Sequence, residues 1–290
     1  MSLVRVLQTT QQTLSHTFYV DGVATDAAGD VTYAVKRLDG TVVTGGTATH
    51  PGVGTYAFLL PATETQDLDS YSVDWTGTFG GAAATVRDLV EIVGGFMFSV
   101  DDARNMPPVL NAVVYPNALV ARKRTAVEVQ AERICNVAFV PRFKRRALGG
   151  NGSPYLKLPD LLIRAVRAVS VDGVAWSAGQ VEAAGFGDSG VLTMNTIGAP
   201  SGVWPVGQRN IIVEYEHGMD QADDDLAEAG VIHLRSRLTG GDTSVPYRAI
   251  SFQSSEGGTY RLSTPSKQKT GIPIVDAAYE AARIDPGGFA

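Results

Sequence analysis

The sequence predicts a multidomain protein with an all-β immunoglobulin-like sandwich over residues 1–95, an α+β domain over residues 96–252 and an extended arm over residues 253–290. Three observations support this division. A length of 290 residues corresponds to about two ordinary domains. The first 98 residues carry four basic and ten acidic side chains, whereas the remainder carries twenty of each. Strand patterns bounded by turn residues fill the first third, and helical patterns begin only after Gly95.

Composition and charge exclude several classes of protein. A disulfide-stapled scaffold needs paired cysteines and this chain has one, while a generic nucleic-acid binder has a basic surplus and this chain has a net charge of -6. No apolar run approaches the ~18 residues that a membrane span needs. Residues 1–13 lack the apolar stretch and cleavage site of a secretory signal. We therefore expect a soluble chain without a membrane partner, synthesised in the cytoplasm.

The first domain reads as a series of short strands. Residues 31–38 alternate between apolar and polar side chains, and Asp39-Gly40 separates them from the partner run 41–43, a sequence typical of a hairpin turn. Gly, Pro and Asp residues bound the other runs. This spacing predicts two packed antiparallel sheets of the immunoglobulin-like kind. The predicted strands are residues 16–20, 31–38, 41–43, 55–60, 70–76 and 84–93.

Five aromatic residues in these strands have two interpretations. Tyr33, Tyr56, Phe58, Tyr71 and Trp75 supply a sandwich core, or they form a platform on which a sugar stacks. Aromatic residues on alternating strands are buried far more often than they are displayed. The core interpretation is therefore preferred.

The second domain opens with two helices. Ser99 followed by Asp102 predicts a capped helix start, and Pro107-Pro108 ends that short helix. Residues 116–137 form the longest helical pattern, with an apolar stripe that includes Val127, Ala131 and Ile134. The charged residues on its other faces are expected to be a solvated surface, with a subunit contact as the alternative. They are Arg122, Lys123, Arg124, Glu128, Glu132 and Arg133.

A basic segment and a β-rich insert follow. Arg142, Lys144, Arg145 and Arg146 precede a glycine-rich stretch, and they are either a weak contact for DNA phosphate or, as we prefer, part of a solvated loop. Alternating patterns and an Asp172-Gly173 turn then predict a small sheet. Its strands are residues 163–171, 174–176, 190–194 and 210–215.

The last third contains a helix and an arm. Asp223, Asp224, Asp225 and Glu228 crowd the start of a helix that ends near Leu238, which matches the helix dipole. Arg235 and Arg237 lie at its other end, and Gly240-Gly241 is the expected stop. Residues 254–258 and 264–271 are polar and loop-like between short strand-like pieces, and a short amphipathic helix begins at Pro273. Because such an arm has little core of its own, we expect it to dock on a neighbour.

Catalytic and metal-binding templates are not found. The sequence lacks a phosphate-binding loop, a His-Glu-x-x-His motif, a Cys-x-x-Cys motif and a nucleophile elbow. His217 lies near Glu214, Glu216 and Asp220 and suggests a metal or acid-base site, but solvated neighbours explain the same pattern. Cys135 is interpreted as a small buried hydrophobe. We expect a non-enzymatic protein without a cofactor.

The ordered elements after residue 99 resemble a known family, the head-to-tail connector (adaptor) proteins of long-tailed bacteriophages and related gene transfer particles. The resemblance spans residues 99–284. It rests on the capped helix at Ser99, Tyr115-Pro116 opening a charged helix, Phe139-Val140-Pro141-Arg142, the β insert, the helix with an acidic start, and Thr270-Gly271-Ile272-Pro273-Ile274-Val275-Asp276.

The resemblance implies a structural protein of the virion neck. Twelve copies would form a ring beneath the portal, continue the channel for double-stranded DNA without reading its sequence, and join the capsid to the tail through stopper or other neck proteins. In such adaptors the C-terminal arm reaches the portal. The residues implied in a portal or subunit contact are Thr270, Gly271, Ile272, Pro273, Ile274, Val275, Asp276, Tyr279 and Arg283.

The N-terminal sandwich departs from this family, because minimal adaptors lack it. A contact to capsid or tail is one expectation for it. Three alternatives stay open for the whole chain: a glycan-binding β-sandwich protein, a minor tail or decoration protein, and a hydrolase that uses His217 or Asp220.

Overall fold

The computed structural model describes residues 3–194, 202–239, 249–253, 259–262, 264, 266 and 269–285. Across this part of the chain the protein is multidomain and rich in sheet, with several separate sheets and few helices. Its buried apolar side chains form three clusters, one in the N-terminal unit and two in the second unit.

Ten strands and one 3-10 turn (Ala62–Thr65) build the N-terminal unit. The predicted strands are confirmed, with shifted ends. Three strands, over residues 3–7, 23–24 and 49–52, were not predicted. The strands are β1 (Leu3–Leu7), β2 (Gln12–Thr17), β3 (Tyr19–Val20), β4 (Val23–Ala24), β5 (Thr32–Arg37), β6 (Val42–Thr47), β7 (Thr49–Gly52), β8 (Thr55–Leu60), β9 (Asp69–Phe79) and β10 (Ala82–Val93).

Two larger sheets share the N-terminal core. One has the order β1-β10-β9-β5-β6, with β1 parallel to β10 and the other pairs antiparallel, and the second has the order β2-β8-β7. Trp75 of the first sheet and Phe58 of the second lie 5.4 Å apart between ring centroids, and both are buried. The predicted hairpin is present, since Gly40 (φ +95°) turns the chain between β5 and β6. The β3–β4 pair is a separate small hairpin.

The second unit alternates helices with short strands. Ser99 caps the first helix together with Asp102, as expected. Its elements are α1 (Val100–Asn105), α2 (Asn117–Cys135), β11 (Arg142–Leu148), β12 (Tyr155–Lys157), β13 (Ile163–Val171), β14 (Val174–Ala175), α3 (Ala178–Ala183), β15 (Gly185–Phe186), β16 (Val191–Thr193), β17 (Ile211–His217), α4 (Asp224–Thr239), β18 (Ala249–Gln253), β19 (Thr259–Leu262) and α5 (Pro273–Ala281).

The second unit has two cores, one shared by four helices and one within the β insert. Helices α1, α2, α4 and α5 surround one apolar cluster that includes Val127, Leu234 and Tyr279. The insert contains a sheet of order β11-β17-β13-β14 and a sheet of order β12-β16-β15, and both contribute to a cluster around the fully buried Trp204. The insert is therefore a β layer with its own core, and it lies between α2 and α4 in the sequence. The expected Gly240-Gly241 stop lies outside the described residues.

Candidate functional site

A cluster of charged side chains joins the N-terminal unit to the second unit. We call it the interdomain charge cluster; it consists of Arg5 and Glu91 from the sheet of the first unit, Arg124, Glu128 and Glu132 from α2, and Arg142 and Lys144 from β11.

The contacts in this cluster are short and buried. Arg5 places Nη1 at 2.5 Å from Glu128 Oε2 and Nη2 at 2.8 Å from Glu132 Oε2, and no part of its side chain is exposed. Arg142 reaches Glu132 Oε1 at 3.0 Å and Glu91 Oε2 at 2.7 Å. Glu128 also accepts a hydrogen bond from the backbone amide of Met97, just after the first unit. The two units are thus connected by paired charges shielded from water.

Burial and charge oppose each other at the carboxylates of the cluster. Burial alone would raise the pKa of Glu91, but the charges of Arg142, Lys144 and Arg5 outweigh it and the pKa is lowered. At Glu132 burial prevails and the pKa is raised, although Arg142 and Arg5 act against it. Pairing with the cations therefore outweighs burial at Glu91 and offsets it only in part at Glu132.

The expectation of a solvated charged face on α2 is wrong for three of its residues. Arg124 and Glu128 are buried, and Glu132 is mostly covered. Arg122 and Arg133 are exposed, as expected for a solvated face. Glu128 and Glu132 are covered because the first unit packs against this face of α2 and brings Arg5 to it. Helical periodicity cannot show such a long-range contact.

The basic segment forms a strand, not the expected loop. Arg142, Lys144 and Arg146 point to one side of β11, and Arg145 points to the other, as strand alternation requires. Arg145 pairs with Glu214 at 3.0 Å and Arg146 lies 3.9 Å from Asp160. Since Arg142 and Lys144 belong to the interdomain charge cluster, all four cations have a carboxylate neighbour within the chain. This pairing favours a structural role over contact with DNA phosphate.

The C-terminal helix also differs from the expected free arm. Ile272, Val275 and Tyr279 are buried in the core formed with α2 and α4. Cys135, which is buried as expected, lies with Sγ 3.2 Å from the Tyr279 carbonyl oxygen, and burial raises the pKa of its thiol to about 12. The amphipathic pattern at residues 273–281 reflects packing within the chain.

The remaining residues of this segment fix the start of α5 or face outward. The carboxylate of Asp276 accepts hydrogen bonds from the Thr270 amide (2.6 Å), the Thr270 hydroxyl (2.7 Å) and the Gly271 amide (3.0 Å). Ile274 is 62% exposed, and Pro273 is also exposed. Arg283 pairs with Asp285 at 3.1 Å. A contact by this segment with another protein must therefore use its outward residues.

An exposed apolar loop connects α1 to α2. Val109, Val113 and Val114 are 71%, 89% and 60% exposed, and we call residues 109–114 the valine loop. Asn111 shapes it, because its side-chain oxygen accepts hydrogen bonds from the amides of Val113 (2.8 Å) and Val114 (3.3 Å).

Two arginines hold the valine loop to the helical core. The fully buried Arg235 of α4 donates to the carbonyl oxygens of Ala103 (3.1 Å), Met106 (2.7 Å) and Pro108. Arg104 of α1 donates to the Tyr115 carbonyl oxygen at 2.5 Å. The backbone on both sides of the loop is therefore fixed while its apolar side chains face solvent. Sequence reasoning placed Arg235 at a helix end for its charge alone and missed this role.

A shallow apolar groove lies between α4 and α5. Its volume is about 300 Å³, and acidic side chains from the first turns of α4 form part of its rim. We call it the α4–α5 groove. It is lined by Leu226, Ala229, Ile232, Ile274, Ala278, Ala281 and Ala282, with Asp223, Asp225 and Glu228 at the rim.

The histidine that suggested a catalytic or metal site has other neighbours. His217 is buried, with Nε2 3.8 Å from Asp160 Oδ1, and burial lowers its pKa to about 4. Asp220 is exposed and pairs with Arg164 at 2.5 Å. In the residues that the structure describes, no group of three His, Cys, Asp or Glu side chains has the arrangement of a metal site. No helix in the same part of the chain could span a membrane.

The five aromatic residues that sequence analysis singled out in the first unit pack in its core. Tyr56, Phe58, Tyr71 and Trp75 are buried, and Tyr33 stacks on Phe58 with 3.8 Å between ring centroids. The core interpretation is confirmed for these residues, so they do not form a sugar platform.

Comparisons with known proteins give no family. No protein-family model and no curated protein match the chain. Among solved structures, a crystal structure of an engineered protein is 20% identical, with a TM-score of 0.25, over 31% of this chain and 18% of that one. A mutant thermostable endoglucanase from Alicyclobacillus acidocaldarius is 11% identical, with a TM-score of 0.20, over 50% of this chain and 18% of that one. This chain thus spans less than a fifth of either structure.

Proposed function

We propose that this protein is a non-enzymatic component of the neck of a bacteriophage or related particle. In this proposal an immunoglobulin-like N-terminal domain precedes a connector domain, and twelve copies form a ring beneath the portal. The ring continues the channel for double-stranded DNA and joins the capsid to the tail.

One observation carries the proposal: the order and packing of the elements after residue 99. The capped helix α1, the charged helix α2, the acidic-start helix α4 and the terminal helix α5 close one core, and the β insert is placed between α2 and α4. The same order motivated the resemblance to head-to-tail adaptors. The pairing of the β11 cations with carboxylates is consistent with a channel that passes DNA without holding it.

The proposed partners follow from the same arrangement. The segment around Thr270 to Arg283 meets the portal through its outward residues, and the opposite end of the ring meets a stopper or other neck protein. The N-terminal domain contacts the capsid or tail. Because the interdomain charge cluster fixes this domain to α2, it would be carried as a rigid part of each subunit.

Electron microscopy of the purified full chain tests the ring. We expect closed rings with a central opening, and the same protein in mature particles detected by mass spectrometry. A chain that stays monomeric at high concentration and is missing from mature particles would contradict the proposal.

A charge reversal tests the portal contact more cleanly than deletion of residues 268–290, which would also remove core side chains such as Tyr279. Arg283→Glu should weaken binding to the cognate portal and leave thermal unfolding of the chain nearly unchanged, since Arg283 pairs only with the exposed Asp285 in the described structure. Unchanged portal binding would remove Arg283 from the contact.

A further inference from the structure

We propose that the valine loop of one subunit inserts into the α4–α5 groove of the next copy of this chain. The proposal rests on the ring proposed above and names the two surfaces that form it. A ring needs heterologous contacts, in which one patch on each subunit meets a different patch on its neighbour. The valine loop and the α4–α5 groove are two such unlike patches.

The valine loop has the properties of an inserted element. Its three valines are exposed within a stretch of six residues, and exposed apolar side chains gathered in this way are typical of interaction sites. Arg104 and Arg235 fix the backbone on both sides of it through hydrogen bonds to carbonyl oxygens. A loop that is already ordered loses little conformational entropy on binding.

The groove has the complementary shape and chemistry. It is an apolar depression of about 300 Å³ between two helices, a size suited to a few small aliphatic side chains. Ile274, which is 62% exposed, would become covered by the inserted loop. Both helices are fixed by the core beneath them, so the groove exists before any partner arrives.

Charge favours this pairing of surfaces. Residues 103–127, which contain the valine loop, carry four cations and no carboxylate. Arg124 is buried in the interdomain charge cluster, so the cations that remain for this surface are Arg104, Arg122 and Lys123. Arg122 is exposed at the start of α2, after the loop. The groove has acidic side chains at its rim, including Asp225 and Glu228. Two copies in a head-to-tail arrangement would bring these opposite charges together, whereas contact between two loops would bring like charges together.

Disulfide trapping tests the contact directly. The only cysteine of the chain, Cys135, is buried, so introduced thiols can be followed without interference. The variant that combines Val113→Cys with Ala278→Cys should give, after mild oxidation of the assembled chain, a ladder of covalent multimers on a denaturing gel. Val113→Cys alone and Ala278→Cys alone should stay single chains.

A charge in the loop gives a second measurement that does not depend on thiol geometry. Val113→Asp should weaken self-association at least about tenfold by mass photometry across a dilution series, because it buries a carboxylate beside an acidic rim. Val53→Asp is the matched control, since Val53 is 65% exposed but lies in the N-terminal unit. It should leave self-association unchanged.

The outcomes separate this inference from the proposed function. Rings that persist in Val113→Asp, without cross-linking of the double-cysteine variant, would overturn the contact and leave the adaptor proposal standing. Covalent dimers from Val113→Cys alone would show loops meeting each other and would also overturn it. A chain without any self-association would overturn both proposals. A ladder in the double variant together with weakened Val113→Asp supports the contact.

Discussion

In most proteins charged side chains are exposed and apolar side chains are buried. The interdomain charge cluster and the valine loop each depart from this rule, the first by burying charges and the second by exposing valines. The cluster buries charged side chains, and each has a partner of opposite sign, as at Arg5 and Glu128. The valine loop exposes apolar side chains on a backbone fixed by Arg235. We attribute the difference to what each region joins. Buried pairs connect two units of one chain, and the proposed role of the displayed apolar side chains is to connect one chain to the next.

The largest expected effect comes from breaking the cluster. Glu128→Ala leaves the buried guanidinium of Arg5 without its closest carboxylate, and loss of one partner from a buried ion pair costs about 3–5 kcal/mol. We expect the free energy of unfolding, measured by urea denaturation, to fall by an amount of this order.

Two further variants distinguish charge from packing. In the double variant Arg5→Met with Glu128→Leu, apolar side chains replace both charges, and Arg142 still pairs with Glu91 and Glu132. Part of the lost stability should therefore return. Glu280→Ala, on the exposed side of α5, is the matched control and should change stability by less than about 0.5 kcal/mol. Equal losses in Glu128→Ala and in the double variant would show that the pairing contributes little.

Acid should destabilise the chain through two buried histidines, one near the interdomain charge cluster and one in the helical core. Burial lowers the pKa of His217, near the cluster, and of His233, which lies against Tyr279, to about 4 from 6.5. The unfolded chain binds these protons below pH 6.5 and the folded chain only near pH 4. Stability is therefore fully present above about pH 6.5 and falls as the pH decreases to 4, by about 3 kcal/mol per histidine.

Substitution of either histidine should remove its share of this pH dependence. We expect the difference in urea midpoint between pH 7 and pH 4.5 to shrink in His233→Gln and in His217→Gln, and to shrink most in the double variant. An undiminished difference in the double variant would assign the acid sensitivity to carboxylates instead.

A smaller effect is expected from releasing the valine loop. Arg235→Met keeps an apolar stem in the core but removes the hydrogen bonds to three carbonyl oxygens, and we expect a loss of about 2 kcal/mol. Hydrogen exchange should accelerate at the amides of Val113 and Val114. Arg237→Met, at an exposed position two residues further, is the control. Unchanged exchange in Arg235→Met would mean that the loop keeps its shape without Arg235.

Local patterns predicted much of the fold and little of the candidate surfaces. The strands of the N-terminal unit, the cap at Ser99 and the helix over most of residues 116–137 follow from nearest-neighbour chemistry, and the structure confirms them. The Arg5–Glu128 pair and the contact of Arg235 with Ala103 gave no local signal, because the residues in them are 123 and 132 positions apart in the sequence. The burial of α5 was missed for the same reason: an amphipathic helix looks alike whether its partner is its own chain or another.

The smallest expected effect is the sharpest test of the difference between the two regions. Val113 is 89% exposed, so Val113→Ser should change the free energy of unfolding of the dissociated chain by less than about 0.5 kcal/mol. Its melting temperature should therefore shift very little. Val127→Ser, at a fully buried position on α2, places a hydroxyl in the helical core and should cost several times more. If Val113→Ser destabilised the isolated chain as strongly as Val127→Ser, the valine loop would already be covered within one subunit. It would then have no apolar surface to offer to a second.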